Sequence, residues 1–513
     1  MNSRHVSKII PFLLIIIILL TSFAVYFNAL FNEFVYDDNL QILENGWIKN
    51  VRFIPEIFSK NAWGYREELS NYYRPLMNII FMFNYHIFGL KPWGFHLMNI
   101  LFHACVSALI FIIASILLRK SRPSALTPSP LFPFIAAMLF ATHPIHTEAV
   151  TWISGIPELS FTFFYLLSLY FYIRAGEGLK SGYLYSVLSF SLAILCKETA
   201  LTLLIILFLY DITFGSTNDR FRNYLKRYTS YYIVAGIYLI VRFLVLGGFA
   251  PIKRHAQLSF YQYAINVFPL FAKYLEKLLL PINLNAFHVF HPISSIFETK
   301  GMLSFGVTAS FFILTFIALK KNKVAFFCLS LMTIPLLPVL YIPAVGDNTF
   351  AERYLYLPSV GFVILLALFL VSIKSKLRRG ASILVVVFLL LGVYATVTVS
   401  RNRDWKDDYT LFTDTVKKSP DAAIPRNILG HILSEKGWLD EGMQQYRIAL
   451  ALNPNLVEAH NNLGNAYYKK GLLDYAIREY QIALFLNPND RDALYNLSVV
   501  YNIREAIHSQ ERK

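Results

Sequence analysis

The sequence predicts an all-α protein in two parts: a polytopic helical membrane domain with about eleven transmembrane helices, followed by a C-terminal TPR α-solenoid. The first observation is composition, because 56% of the 513 residues are hydrophobic and only 15% are charged. A soluble domain usually carries about 25% charged residues. The second is a series of apolar runs of about 20 residues, the length that crosses a bilayer. The third is a repeat near the C-terminus.

The first apolar run extends from Ile9 to Leu30 after two basic residues, Arg4 and Lys8. It resembles a signal peptide but lacks a small-residue cleavage site, so we interpret it as an uncleaved anchor. The further predicted spans are 93–118, 131–149, 157–173, 182–196, 199–214, 228–246, 303–319, 324–343, 357–373 and 381–400. Residues 261–280 carry Lys273, whose charge is costly at mid-bilayer, and are predicted to form an amphipathic or re-entrant helix at the outer surface.

Basic residues in the loops predict the orientation, because cytoplasmic loops are enriched in lysine and arginine. The clusters are Arg119, Lys120 and Arg122; Arg174 and Lys180; Arg220, Arg222, Lys226 and Arg227; Lys320, Lys321 and Lys323; and Lys374, Lys376, Arg378 and Arg379. With a cytoplasmic N-terminus and an odd number of spans, all five clusters are cytoplasmic and the C-terminal part is external. The net charge of +15 therefore indicates membrane loops, and we predict no nucleic-acid binding.

From residue 404 onward the composition is that of a soluble helical protein. Leu429-Gly430 recurs as Leu463-Gly464 with matching Tyr, Ala and Asn-Pro positions, a period of about 34 residues that is typical of TPR hairpins. We predict a membrane domain over 1–403 and a TPR domain over 404–513, with full repeats at about 423–456 and 457–490 and a partial unit on each side. The asparagine amide can donate and accept hydrogen bonds, so the predicted peptide groove contains Asn427, Asn461, Asn462 and Asn465.

The predicted first external loop, 31–91, places two adjacent carboxylates, Asp37 and Asp38, directly after a spanning helix. Either residue is a candidate general base, with a pKa tuned by its neighbour and by partial burial. The alternative is a solvated turn that ends the helix. The sequence does not distinguish between the two carboxylates.

Three other predicted external segments carry polar motifs. One contains His143, His146 and Glu148, which suit polar recognition of a sugar or acceptor, a metal, or simply a hydrogen-bonded helix connection. Another contains Lys197-Glu198 between two apolar runs, which is costly unless it faces water or a polar cavity. The third contains Glu352-Arg353, where arginine suits a phosphate or forms a salt bridge with Glu352 or Glu198. Because all motifs lie on one predicted membrane face, they indicate an outward-opening active site. No metal is predicted.

In this order, the motifs resemble the TMTC family of transmembrane and TPR-containing protein O-mannosyltransferases and their bacterial relatives. The resemblance is carried by Asp37-Asp38, by the His143-Pro144 to Val150 stretch, by Lys197-Glu198, by Glu352 to Ser359, and by the repeats. It implies a GT-C membrane glycosyltransferase fold, a polyprenyl-phosphate-linked sugar donor and Ser or Thr hydroxyl acceptors. The TPR array is shorter than in the better-known animal members, which leaves the acceptor open.

By this resemblance, the expected function is transfer of a sugar, first of all mannose, to extracytoplasmic proteins that the TPRs recruit. Asp37 or Asp38 is the expected base, Arg353 and Lys197 bind the donor phosphate, and the remaining motif residues position sugar or acceptor: His143, His146, Glu148, Glu198 and Glu352. The short array and the absence of an ER-retention signal at residues 510–513 favour a bacterial inner membrane over the ER. The alternatives are a glycosyltransferase with a lipid or glycan acceptor, a non-enzymatic TPR scaffold and a transporter.

Overall fold

A computed structural model of the chain describes residues 3–121, 130–215, 221–249, 251, 258–344, 348–376 and 380–511. Of the residues singled out above, Arg122, Arg220, Arg378 and Arg379 lie outside these ranges. The described chain is helical and divides into two units. One unit comprises residues 1–284 and 291–406, and the other comprises residues 285–290 and 407–513.

The larger unit contains fifteen of the α-helices in the described ranges. They are α1 (Ser3–Tyr26), α2 (Ile54–Ser59), α3 (Pro75–Phe88), α4 (Pro92–Ser121), α5 (Leu131–Thr142), α6 (Thr147–Thr151), α7 (Ile156–Gly176), α8 (Gly182–Cys196), α9 (Leu203–Phe214), α10 (Phe221–Leu246), α11 (Phe260–Leu279), α12 (Thr299–Lys321), α13 (Lys323–Thr333), α14 (Pro358–Lys376) and α15 (Gly380–Arg401). Most residues of α5, α6, α7 and α13 are buried, so the core of the unit lies around these helices.

Within the described ranges, seven helical segments are long and apolar enough to cross a membrane, so the chain is a multi-pass membrane protein. They are Ile9–Phe31, Pro92–Lys120, Ile153–Gly176, Arg227–Leu246, Thr299–Lys321, Lys323–Leu340 and Leu384–Trp405. The predicted count of about eleven is higher. The predicted spans 131–149, 182–196 and 357–373 are shorter apolar helices, and 199–214 is a 3₁₀ turn, Glu198–Thr202, followed by the 12-residue α9.

Proline explains the shortening of the predicted span 131–149. The residue before a proline is disfavoured in the helical region, and His143 adopts an extended conformation (φ −66°, ψ 125°) before Pro144. Helix α5 therefore ends at Thr142 after 12 residues. At 1.5 Å per residue it is shorter than the hydrocarbon layer of about 30 Å. The chain then turns, and this turn brings the following polar motif to the site described below.

Helix α11 covers the segment predicted as amphipathic. It begins with a capping box in which Ser259 accepts from the backbone N–H of Gln262, and it runs for 20 residues. Its buried residues recur at helical spacing, including Ile265, Leu270 and Tyr274, whereas Glu276 is exposed. It is not among the seven long apolar segments of the described chain. The predicted amphipathic character is therefore present.

The smaller unit is built from helix pairs. Its helices are α16 (Asp408–Lys418), α17 (Ala423–Glu435), α18 (Leu439–Leu452), α19 (Val457–Lys469), α20 (Leu473–Leu486) and α21 (Arg491–Glu511). A Cβ on Gly430 would lie 2.7 Å from the Tyr446 ring, and a Cβ on Gly464 would lie 2.6 Å from the Tyr480 ring. The repeated Leu-Gly and Tyr positions therefore mark the close approach of the two helices of each hairpin. The six residues 285–290 also belong to this unit, where Asn285 donates to the Ser419 hydroxyl at 2.9 Å.

Candidate active site

The two adjacent aspartates lie on a tight turn that gives them different surroundings. Tyr36 has a positive φ of 55°, which is strained for a large side chain, and its ring stacks on Trp152 at 5.7 Å. Asp38 is fully buried and accepts hydrogen bonds from the Ser154 N–H (2.8 Å) and hydroxyl (2.5 Å) and from the Val35 N–H (3.1 Å). Burial raises the pKa of Asp38 to about 7, although these donors favour its ionised form. Asp38 thus fastens the first loop to the 153–155 turn.

Asp37 is half-buried, and no hydrogen bond or ion pair to its carboxylate occurs within the described ranges. Burial raises the pKa of Asp37 to about 6, and the nearby positive charge of Arg353 opposes that rise. The carboxylate is therefore ionised near neutral pH but close enough to its pKa to accept a proton. These are the properties of a general base.

Arg353 pairs with Glu148, and not with the partners Glu352 or Glu198 that the sequence suggested for a salt bridge. One guanidinium nitrogen of Arg353 donates to Glu148 Oε1, and its backbone N–H donates to Oε2 at 2.9 Å. The guanidinium also lies over the rings of Trp152 (5.2 Å) and Tyr354 (5.0 Å). Burial raises the pKa of Glu148, and the guanidinium opposes that rise. Arg353 is thus held rigidly beside Asp37.

Glu352 pairs with Arg401 at 2.8 Å, and both side chains are buried. The residues that follow Arg401 also pack against the motif regions. Asn402 accepts a hydrogen bond from the Thr151 hydroxyl at 2.9 Å, and Trp405 stacks on Trp152 at 6.0 Å. Glu352 therefore positions the last helix of the larger unit, and its role in positioning sugar or acceptor stays a prediction.

The two histidines are buried inside the protein. His146 contacts the Phe140 carbonyl (2.9 Å) and the Ser359 hydroxyl (2.8 Å), so it joins its own motif to the segment after Arg353. Burial lowers the pKa of His143 to about 3 and that of His146 well below its usual value. His146 therefore fits a hydrogen-bonded helix connection, whereas His143 accepts from the Ile145 N–H through Nδ1 and its buried Nε2 has no hydrogen bond within the described ranges. Within the described ranges, no three His, Cys, Asp or Glu side chains come together as a metal site.

The Lys197-Glu198 motif supplies two separate ion pairs. The Lys197 ammonium pairs with Glu158 in the protein interior, and it lies 4.7 Å from the centre of the Tyr354 ring. Glu198 receives two hydrogen bonds from Arg74, at 3.1 and 2.7 Å. Although burial acts in the opposite direction, Arg74 holds the pKa of Glu198 at about 2. Lys197 and Arg353 contact the same tyrosine ring, so the structure brings the Asp, His, Lys-Glu and Glu-Arg motifs together.

A cavity of about 280 Å³, which we call the arginine cavity, adjoins these ion pairs. It is lined by Asn71, Tyr72, Arg74, Lys197, Glu198, Thr199, Arg242, Phe249, Pro338, Val339, Tyr341 and Tyr354. Arg242 donates to the carbonyls of Asn71 (2.9 Å) and Phe249 (3.1 Å), and one of its nitrogens lies 4.0 Å from Glu198. The cavity therefore combines three cationic side chains with an apolar rim.

Sequence reasoning missed two charged residues here, Glu158 and Arg242. Both lie inside predicted spans, 157–173 and 228–246. An ionisable residue within a spanning segment is itself a sign of a functional or paired site, so this signal was available. Arg74 could not be recognised as part of the site from the sequence, because its partner Glu198 lies 124 positions away.

In the smaller unit, the predicted groove asparagines form hydrogen bonds between repeats. Asn462 donates to Asn427 at 3.1 Å, and Asn496 donates to Asn461 at 3.0 Å. Asn465 accepts from the Tyr480 hydroxyl at 2.7 Å. A cavity of about 350 Å³ is lined by Asn462, Asn465 and Asn496, but not by Asn427 or Asn461. Only two of the four predicted asparagines therefore line this cavity.

The fold and the site define a multi-pass helical membrane protein with buried ion pairs around a cavity and C-terminal helical hairpins. The family models described as "TPR repeat" and "Tetratricopeptide repeat" match residues 430–471 and 457–490, which confirms the predicted repeats.

The predicted resemblance to the TMTC proteins is confirmed in sequence. The chain is 29% identical over 483 residues to Protein O-mannosyl-transferase TMTC3 of Mus musculus, covering 85% of this chain and 51% of that protein. It is 26% identical over 537 residues to Protein O-mannosyl-transferase Tmtc1 of Drosophila melanogaster, covering 86% of this chain and 61% of that protein. The chain thus spans about half to three-fifths of the length of these relatives.

A solved structure, ArnT from Cupriavidus metallidurans bound to undecaprenyl phosphate, matches with 13% identity and a TM-score of 0.35. The match covers 94% of this chain and 87% of that chain.

Proposed function

We propose that the protein is a membrane glycosyltransferase that moves a sugar, first of all mannose, from a polyprenyl-phosphate carrier to Ser or Thr hydroxyls of extracytoplasmic proteins. The observation that carries the proposal is Asp37, a carboxylate without a hydrogen bond in the described chain and with a pKa of about 6, beside Arg353. The Arg353 guanidinium contacts Tyr354, which lines the arginine cavity. The similarity to proteins named O-mannosyl-transferases supports the same activity.

In the proposed reaction, the acceptor oxygen attacks the anomeric carbon, and the bond from that carbon to the phosphate oxygen breaks. Asp37 accepts the hydroxyl proton, and the departing phosphate keeps the electron pair of the broken bond. Proton removal by a positioned base and stabilisation of the leaving charge both lower the barrier. A single displacement inverts the anomeric configuration. The leaving phosphate needs positive charge but no metal ion in this scheme.

The ion pairs assign distinct roles around this reaction. Lys197 and Arg353 contribute positive charge near the breaking bond, while Glu158 and Glu148 hold these cations in place. Asp38 holds the turn that carries Asp37. His146 supports the same framework through its contact with the Ser359 hydroxyl.

The proposed setting is a membrane with the N-terminus in the cytoplasm and the site and TPRs outside it. A bacterial inner membrane is the first expectation, with the ER membrane as the counterpart in a eukaryote. The TPR unit would bind the acceptor, which raises the effective concentration of acceptor hydroxyls at the site. The cavity of about 350 Å³ that Asn462 and Asn465 help to line supports that role.

The test is incubation of the purified full chain with polyprenyl-phosphate mannose and a Ser/Thr-rich peptide, followed by mass spectrometry of peptide and lipid fractions. We expect a hexose on peptide hydroxyls. If the hexose is found only on lipid or glycan, the acceptor is a lipid or glycan and not a protein. If none of several polyprenyl-phosphate sugars is consumed with any class of acceptor, the glycosyltransferase function is excluded and a non-enzymatic scaffold is favoured.

A further inference from the structure

Two buried polar groups that line the arginine cavity have no hydrogen-bond partner within the described ranges. They are the Thr199 hydroxyl and the Arg242 Nη1 nitrogen, which lies 4.0 Å from Glu198 and so beyond hydrogen-bond distance. The residues Arg242 and Thr199 are 9% and 3% exposed. Leaving a buried donor unpaired costs free energy that is comparable to a lost hydrogen bond. Because both groups can donate hydrogen bonds, they suit a ligand that accepts them.

The charges of the cavity indicate an anion. Three cationic side chains, Arg74, Lys197 and Arg242, are balanced by two carboxylates, Glu198 and Glu158. One positive charge remains uncompensated. A sugar-bearing lipid phosphate is a phosphodiester with a single negative charge, so such a ligand would neutralise the cavity. Arginine is also the side chain that best matches phosphate oxygens.

The rim of the cavity indicates that this anion is attached to a hydrocarbon chain. Phe249, Pro338, Val339 and Tyr341 line it on one side. Phe249 is 62% exposed and Tyr341 is 60% exposed. Phe249 follows α10, which belongs to a long apolar segment. A ligand with a charged head and an apolar tail fits this combination, whereas a free phosphate would leave the apolar rim unused.

We infer that the arginine cavity holds the phosphate of the lipid-linked substrate, with Arg242 Nη1 and the Thr199 hydroxyl donating to its oxygens. Arg74 and Lys197 add positive charge, while Arg353 remains bound to Glu148 and faces the sugar side. The shared contact of Lys197 and Arg353 with Tyr354 links the cavity to Asp37. The identity of the lipid as the sugar carrier rests on the proposed function, but the phosphate site itself does not.

The test measures equilibrium binding of undecaprenyl phosphate to the purified full chain in detergent, where no sugar transfer occurs. Arg242→Gln keeps an amide that can donate to the carbonyls of Asn71 and Phe249 but removes the charge. We expect it to weaken lipid-phosphate binding about 10- to 100-fold, since hydrogen bonds to charged groups are among the stronger ones. Thr199→Val removes only the hydroxyl and should weaken binding about threefold to tenfold.

Two matched controls separate this effect from general damage. Thr162→Val removes a buried hydroxyl that is also unpaired within the described ranges but does not line the cavity. Arg174→Gln removes an arginine that pairs with Glu177 elsewhere. Both should bind the lipid phosphate with unchanged affinity. If Arg242→Gln does not fold, the test becomes the affinity of Thr199→Val for undecaprenyl phosphate compared with that of Thr162→Val. Equal affinities would then overturn the inference.

The outcomes distinguish this inference from the proposed function. Unchanged lipid affinity in Arg242→Gln and Thr199→Val would overturn the inference even if sugar transfer by the wild-type protein is confirmed. Conversely, Arg242-dependent lipid binding without any sugar transfer would sustain the phosphate site and reject the enzyme. Inorganic phosphate is the second probe. If it competes at micromolar concentration, matching the lipid, the site takes free phosphate and the lipid assignment fails.

Discussion

Two sets of polar side chains in the larger unit, which we call the paired region (Asp38, Glu352 and His146) and the open region (Asp37, Arg242 and Thr199), differ in whether each side chain has a polar atom without a hydrogen-bond partner in the described chain. In the paired region, Asp38 is held by Ser154, Glu352 by Arg401 and His146 by Ser359. In the open region, Asp37, Arg242 and Thr199 each carry a polar atom with no hydrogen bond in the described chain. Buried polar groups are normally satisfied. We therefore infer that the paired region has a structural role, and that bound substrate supplies the missing hydrogen bonds in the open region.

Replacement of Asp37 should reduce sugar transfer more than any other substitution proposed below, and it should do so without the loss of stability expected for Asp38. Asp37→Asn removes the proposed base but breaks no hydrogen bond in the described structure, so sugar transfer should fall about 10²- to 10⁴-fold. Its unfolding temperature at pH 7.5 should not fall and should rise by about 1–3 °C, because ionisation of a carboxylate with a raised pKa opposes folding. That gain should disappear below about pH 4, where the carboxyl is protonated in both folded and unfolded chains.

Asp38→Asn is the comparator for this substitution. Burial also raises the pKa of Asp38, but Asp38→Asn weakens the hydrogen bonds that Ser154 and Val35 donate. We expect this loss to dominate, so the unfolding temperature should fall together with activity. Sugar transfer by Asp37→Asn at the wild-type rate would show that Asp37 is not the base. An equal loss of stability in the two variants would show that the paired and open regions do not differ in this respect.

The pH profile of transfer should report the open carboxylate. A base with a pKa of about 6 is active when ionised, so kcat/KM should fall about tenfold for each pH unit below 6 and level off above 7. The measurement is an initial-rate series from pH 4.5 to 8 with binding of the lipid phosphate followed in parallel. A profile that is flat through pH 6 would contradict the assignment of Asp37.

The paired region should respond in stability. Glu352→Gln leaves the buried Arg401 without its carboxylate, which costs about 3–5 kcal/mol in comparable buried pairs. The double variant Glu352→Gln with Arg401→Gln should recover much of that loss, since it removes the isolated charge. Denaturant unfolding in detergent measures both. If the single variant is as stable as wild type, the pair does not hold the last helix in place.

Features that depend on local sequence could be predicted, whereas pairings between distant segments could not. Long apolar runs and the 34-residue repeat are local signals, so the helical membrane class and the TPR hairpins were predictable. The motif residues were found because charged groups stand out between apolar runs. Their partners were not predictable, because Glu148–Arg353 and Arg74–Glu198 join segments 205 and 124 positions apart. The distinction between Asp37 and Asp38 depends on the turn at Tyr36 and on Ser154, which no spacing reveals.

The smallest expected effect lies in the TPR unit, where the same distinction between paired and open groups applies to one hydrogen bond. Asn462 lines the cavity of that unit and donates to Asn427, which is buried and does not line it. Asn462→Ala and Asn427→Ala therefore remove the same bond from opposite ends and should destabilise the unit equally, by about 1 kcal/mol. Only Asn462→Ala should also raise the KM for the acceptor peptide, about threefold, with kcat unchanged, because it removes binding that is equal in the ground and transition states. Equal KM values in the two variants would mean that this cavity does not contact the acceptor.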